Sequence, residues 1–282
     1  MTKITLVQPH LSFSAVNQFA TCPRAWFSQR VLGKKQPAGE AANFGLAYEA
    51  QIIEALKATN EKGADERVDI SDPQVARQIE EAKRVYLSSP GAWSADMPGK
   101  IVAQREIKIT PEQWGTLADM YDAPGEIHLP MIGFIDLLHT DPTGLRRTVN
   151  DLKTTKQPGC NTSWLLQTAL YALAERAQQI EIHVLLRPQE RATKKPRAED
   201  WLPKFQTAIY TYRPHDGTFK WVMGWIGYHA MKMREAEKSS LERLPACASY
   251  ACAWCPESTT CEAALVSGLT PTGGTKLKEG DE

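Results

Sequence analysis

The 282-residue chain has no excess charge of either sign: 33 Lys and Arg face 33 Asp and Glu. That balance excludes a uniformly basic nucleic-acid coat, although net charge does not speak to a local basic surface. No apolar run approaches the roughly 20 residues that span a bilayer. The opening MTKITLVQPH lacks the basic, apolar and small-residue order of a signal peptide, so a cytoplasmic protein without a membrane partner is expected. There is no internal repeat. What is present is ordinary globular composition, 42% hydrophobic and 23% charged, which excludes a disordered chain. The length suits one large domain or a domain with an appendage.

The order of elements is helix, sheet, helix, sheet. Leu11 to Leu32 reads as two short helices, with Ser14 as N-cap of the first and Pro23 opening the second. Asn43 to Ala58 carries apolar residues at helical spacing, and Asp72-Pro73 starts a helix toward Leu87. Strands follow at Lys100 to Thr110, Pro130 to Thr140 and Arg147 to Lys153, the last two joined through the turn Asp141-Pro142-Thr143-Gly144. A helix over Ser163 to Gln178 precedes strands Ile180 to Leu186 and Phe205 to Tyr212, which flank the polar stretch Arg187 to Lys204. The last helix runs from Trp221 to Lys238, and the tail from Pro271 has too little apolar content to fold.

Asp136 lies in the apolar run Ile132-Gly133-Phe134-Ile135-Asp136-Leu137, where a buried carboxylate needs a partner such as a divalent cation. The next strand carries Asp151-Leu152-Lys153, and strand alternation puts Asp151 and Lys153 on one face. If the hairpin pairs, Asp136 meets them across the ladder. Two carboxylates and an ammonium suit metal-assisted phosphodiester hydrolysis, with magnesium or manganese on the acids and the lysine near the phosphate. The plainer reading of Asp-x-Lys is a structural ion pair. Gln167 and Tyr171, four apart, stack on one helical face and can hydrogen-bond a ligand.

Leu11-Ser12-Phe13-Ser14 through Cys22-Pro23-Arg24, Gly45 in a helix, Gly133-Phe134-Ile135-Asp136, Asp151-Leu152-Lys153-Thr154 and Gln167-x-x-x-Tyr171 together resemble the RecB-type nucleases of the PD-(D/E)XK superfamily. The resemblance covers Leu11 to about Ala263. It implies an α/β fold: a restriction-endonuclease-like core with a central mixed sheet flanked by helices. It also implies that Asp136 and Asp151 bind metal, that Lys153 supports catalysis, and that Gln167 and Tyr171 shape a DNA-handling active site. Where that family commonly has a metal-binding histidine, four residues after Gly45, this chain has Glu49. A glutamate suits a hard cation, and phage-lambda-like exonucleases also use a glutamate on this helix. Glu54 is the second choice there, and Glu106 a candidate outer carboxylate.

Of the six cysteines, Cys252-x-x-Cys255-x5-Cys261 supplies three thiols for one metal centre, which wants a fourth. No second CxxC pair or nearby histidine completes a zinc ribbon or finger. AddB-type nucleases and CRISPR-associated iron–sulfur exonucleases carry one cysteine before the core and three after it, so the resemblance points to Cys22. The implied cofactor is a 4Fe–4S cluster, with zinc as second choice, clasping the helical N-terminal segment to the C-terminus. Cys247 reads as a spare and Cys160 as a lone thiol.

The resulting organisation is a helical segment with the first cluster cysteine and the metal-ligand helix (1–98), the nuclease core (99–240), the cysteine region (241–268) and a disordered tail (269–282). The expected activity is that of a deoxyribonuclease, in particular an exonuclease on ended duplex or single-stranded DNA. Recombination, replication or CRISPR-adaptation proteins are the further candidate partners. The alternative is a catalytically weak or silent DNA-binding or assembly subunit, motivated by Glu49. Lys34-Lys35, Arg146-Arg147, Lys194-Lys195 and Arg197 could contact phosphates, and Trp164 and Trp201 could stack on bases. Solvated loops are the plainer reading of each, and His139, His183, His215 and His229 read as ordinary residues.

Overall fold

The computed structural model describes residues 9–34, 39–61, 72–187, 204–249, 252 and 255–267. The expectations for Lys35, Lys194, Lys195, Arg197, Trp201 and the tail 269–282 lie outside the described residues.

Helix α1 (Phe13–Thr21) starts at Ser12, not Ser14: the Ser12 hydroxyl accepts the Ala15 N–H at 3.2 Å. The reason is tertiary. Leu11 forms a parallel bridge with Met131, which holds the chain extended up to the cap. Pro23 opens α2 (Pro23–Trp26), and the chain continues as a π-helical turn over Phe27–Val31. Helix α3 spans Glu40–Ala55, and α4 (Pro73–Leu87) is capped by Asp72, whose carboxylate accepts the Gln74 N–H at 2.8 Å.

The six-stranded sheet has the order β1 (Thr59–Asn60), β2 (Lys100–Ile109), β3 (Met131–Thr140), β4 (Arg147–Thr155), β5 (Gln179–Leu186) and β6 (Gln206–Tyr212). It is mixed: β1 with β2 and β4 with β5 are parallel, while the other neighbours are antiparallel. The β3–β4 turn closes as its sequence dictates, with the Asp141 carboxylate accepting the Leu145 and Arg146 N–H groups at 3.1 Å. Parallel β4 and β5 need a long crossover, and α6 (Thr162–Glu175) supplies it. Helix α7 spans Asp216–Ala236, and α8 spans Glu262–Ser267.

One helix that the sequence reading passes over, α5 (Pro111–Tyr121), had its signals in plain view. Thr110 and Gln113 form a reciprocal capping box, and Pro111 takes the first helical position. Strand β1 is only two residues long, too short for any periodicity to show.

Two apolar cores cover the sheet's faces. The first gathers α1, α2, α5, α6 and α7 around residues such as Ile135, Val149, Ile182 and Val184. The second gathers α3 and α4 around Leu137, Leu152 and Leu185. Val149 and Leu152, of opposite parity on β4, go to opposite cores, as alternation requires. Each fully buried Leu or Ile contributes roughly 1.5–3 kcal/mol. The N-terminal segment is tied to the C-terminal region by hydrogen bonds. Arg24 Nε donates to the Leu244 carbonyl at 3.2 Å, while Ser28 Oγ at 2.6 Å and Lys34 Nζ at 2.7 Å both reach Glu257 Oε1. Among the described residues, no helix is long and apolar enough to cross a membrane.

Candidate functional site

The β3–β4 ladder ends at the pair Leu137–Asn150. Just beyond it, Asp136 uses its side chain in place of a backbone acceptor: Oδ2 takes the Leu152 N–H at 2.8 Å. That bond holds the Asp136 carboxylate near enough to Asp151 for its charge to be felt there. Asp151 is completely buried. Its Oδ1 accepts from Lys153 Nζ at 2.9 Å, and Oδ2 lies 2.8 Å from the same ammonium but has no hydrogen-bond partner.

These groups perturb one another. Burial pushes the Asp151 carboxyl up to about 7; Lys153 opposes the rise and Asp136 adds to it. Burial alone would pull Lys153 down, yet the Asp151 and Asp136 carboxylates hold its ammonium above the ordinary lysine range. The Tyr171 hydroxyl is pushed up to about 12, first by burial and then by Asp151 and Asp136, against a lowering hydrogen bond from Gln167. That bond, Gln167 Nε2 to Tyr171 Oη, is 3.0 Å long. The structure therefore brings Asp136, Asp151, Lys153, Gln167 and Tyr171 into one cluster between β3, β4 and α6.

Gly133 is what admits the tyrosine. A Cβ at that position would lie 2.7 Å from Tyr171 Cε1, closer than real Cβ atoms come. Gly45 has a milder version of the same constraint, since a Cβ there would meet Thr154 Oγ1 at 3.2 Å, so α3 lies close against β4.

The third expected carboxylate is not closed onto the pair. Glu49 is half-buried on α3, where its carboxylate accepts a hydrogen bond from the Gln104 amide. Among the described residues no three His, Cys, Asp or Glu side chains converge closely enough to hold a metal. Glu54 and Glu106 are exposed, and Glu106 lines a separate cavity of about 400 Å³ with Arg105, Lys108 and Arg176. Arg147 is committed to Glu175, donating to its Oε2 at 3.0 Å, and Trp164 packs against the first core. Gln104 was not singled out by sequence reasoning, because a glutamine in a strand carries no local signal.

The cysteines divide by burial. Cys22, Cys252, Cys255 and Cys261 are buried, and Cys160 and Cys247 are exposed. Two sulfurs receive backbone donors, Cys247 N–H to Cys22 Sγ at 3.5 Å and Ser249 N–H to Cys252 Sγ at 3.4 Å. Burial pushes the Cys255 thiol up, opposed by a Glu257 backbone bond and reinforced by Cys22, Cys252 and Cys261.

The family model of the PD-(D/E)XK nuclease superfamily matches residues 10–262. The chain belongs to that superfamily. Its mixed six-stranded sheet with flanking helices is consistent with a restriction-endonuclease-like core, and Asp136 with Asp151-x-Lys153 occupies the sheet of this PD-(D/E)XK chain. No curated protein matches it. Among solved structures it is similar to SSO0001, at 10% identity and a TM-score of 0.40, over 91% of this chain and 87% of that one. It is also similar to a "Putative exonuclease" from Eubacterium rectale, at 10% identity and a TM-score of 0.44, over 97% of this chain and 91% of that one.

Proposed function

We propose that this PD-(D/E)XK chain is a metal-dependent deoxyribonuclease, an exonuclease acting on DNA ends or single strands, stabilised by a 4Fe–4S cluster. The reading is carried by one observation. The half-buried Asp136 adds like charge to the fully buried Asp151, whose two oxygens share one ammonium, that of Lys153. Like charges in such a setting are relieved by a hard cation with oxygen ligands, so the donor set fits magnesium or manganese. Asp136 and Asp151 would hold it, with Glu49 as the third acid.

When bound, the cation supplies Lewis-acid chemistry, neutralising phosphate charge and making water a better nucleophile. The chain's own residues do the rest. Lys153, kept charged by its two acidic neighbours, donates to a phosphate oxygen where negative charge develops. Tyr171 keeps its proton at neutral pH and offers a hydrogen-bond donor, and Gln167 fixes where its oxygen lies.

The four buried cysteines lie near one another, Cys255 feeling the other three, and four sulfur donors suit a soft metal, which would draw them closer and deprotonate them. Cys22, Cys252, Cys255 and Cys261 would hold the cluster and close the N-terminal segment onto the C-terminal region. The backbone bonds to Cys22 and Cys252 are of the kind that tunes such a centre. Iron and sulfide analysis with absorbance near about 400 nm supports the cluster; a colourless preparation holding zinc replaces it.

The deciding experiment for the activity is digestion of end-labelled and circular DNA with magnesium or manganese. Degradation restricted to ended substrates supports the exonuclease. Binding without cleavage in either metal supports the silent subunit instead.

A further inference from the structure

Among the described residues, four non-glycine residues have positive φ, and three of them stand where a helix ends: Lys57 after α3, Asp122 after α5 and Arg176 after α6. The left-handed conformation is expected there. The fourth, Gln104 at φ 53°, lies inside β2, where a residue with a Cβ disfavours it.

Its position in the ladder is specific. Strands β2 and β3 pair from Lys100–Thr140 to Ala103–Leu137 and again from Arg105–Ile135 to Ile109–Met131. The register is unchanged across the gap, so no residue is inserted, and the one missing rung sets Gln104 opposite Asp136. Both strands change face there. Ile101, Ala103 and Leu137 belong to the second core, whereas Ile107, Ile109, Ile135 and Met131 belong to the first, although all are odd-numbered. A strand of uniform twist keeps one parity on one face. On β2 the left-handed residue supplies the rotation that breaks that rule.

This rung matters because of where the acids come from. Asp151 shares its parity with Val149 and so faces the α6 side, whereas Glu49 comes from α3, which packs with the second core on the opposite side. Asp136, released from β2 at this rung, reaches Leu152 and Asp151. The Gln104 amide meanwhile donates to Glu49. One residue thus stands at both routes, opposite Asp136 at the missing rung and bonded to Glu49 through its side chain.

We propose that Gln104 is a positioning residue for the divalent cation: its left-handed backbone sets the Asp136 carboxylate and its amide aims the Glu49 carboxylate, joining acids from opposite faces of the sheet into one site. The inference rests on the reading of Asp136, Asp151 and Glu49 as ligands.

The test is manganese binding to the full chain without DNA, followed by electron paramagnetic resonance, with thermal melting alongside. Gln104→Gly keeps the left-handed backbone and removes the amide. Gln104→Glu keeps the length and faces one carboxylate with another. Both variants should melt no lower than a few degrees from the parent yet bind manganese about 10-fold or more weakly, the range for groups that orient ligands. In a Glu49→Ala background, Gln104→Gly should weaken binding no further. Gln104→Asn, which tolerates the backbone but is one methylene short, guards against a folding failure of the others and should resemble Gln104→Gly. Unchanged or tighter manganese binding by both Gln104→Gly and Gln104→Asn overturns this proposal alone. A parent protein that binds no manganese overturns the ligand reading and this proposal with it.

Discussion

The same sheet carries two buried polar clusters, and they are built on opposite plans. In the second core, His183 Nδ1 meets Tyr86 Oη at 2.9 Å, His183 Nε2 meets Glu181 Oε2 at 2.9 Å, Trp93 Nε1 donates to that same oxygen at 2.8 Å, and Gln179 donates to Glu181 Oε1 at 2.6 Å. Burial alone would raise the Glu181 carboxyl, but His183, Trp93 and Gln179 outweigh it and hold the group below the ordinary range. The cluster satisfies itself. Around Asp151 the balance runs the other way: burial and the like charge of Asp136 outweigh the Lys153 ammonium, and the acid is pushed up to about 7. A polar group whose needs are met inside the fold serves stability, and one left in deficit stores affinity for something that is not protein.

The comparison breaks first in activity. Asp151→Asn and Lys153→Ala should each lower magnesium-dependent DNA degradation by about 10²–10³-fold or more, measured on end-labelled DNA. Asp151→Asn should change the stability of the metal-free protein little, since relief of the like charge against Asp136 offsets loss of the Lys153 ion pair. His183→Ala should do the reverse. It removes the His183 bonds to Glu181 and Tyr86 and leaves Glu181 to Trp93 and Gln179, at a cost of about 1–3 kcal/mol, read from the urea midpoint, while cleavage persists at permissive temperature.

Smaller effects sharpen the contrast. Gly133→Ala drives a methyl group into the Tyr171 ring and should cost about 1–3 kcal/mol, with loss of cleavage exceeding any loss of secondary structure by circular dichroism. The smallest effect is in pH. Asp151 has a folded value near 7, above its ordinary 3.8, so the folded state binds the extra proton between those limits. Its stabilising contribution is full below the lower value and is lost as pH rises through about 7. Glu181, held low, contributes stability above the ordinary glutamate range and loses it as pH falls through its depressed value. Metal-free parent protein should therefore lose a few degrees of Tm relative to Asp151→Asn between about pH 5 and pH 8, and saturating manganese should remove the difference.

Much of this was legible from local rules. The β3–β4 hairpin follows from its Asp-Pro-Thr-Gly turn, Pro23 opens α2, and the four-residue spacing of Gln167 and Tyr171 ends in a hydrogen bond of 3.0 Å. The α5 capping box was equally local and was overlooked. Other features were not legible at all. Ser12 displaces Ser14 as cap because of a bridge to Met131, more than a hundred residues away. His183 looked ordinary because its partners come from α4, the segment after it and its own strand.

The chain text by itself determined which side chains share a face: Asp151 with Lys153, Gln167 with Tyr171, Cys252 near Cys255. The reason is that helix and strand periods are properties of the backbone, whatever surrounds it. Only the tertiary structure decided which faces meet, how deeply Asp151 is buried, and that a glutamine at a broken rung stands between Asp136 and Glu49. Register, burial and the exchange of faces at Gln104 arise from contacts distant in sequence, and no short-range pattern encodes them.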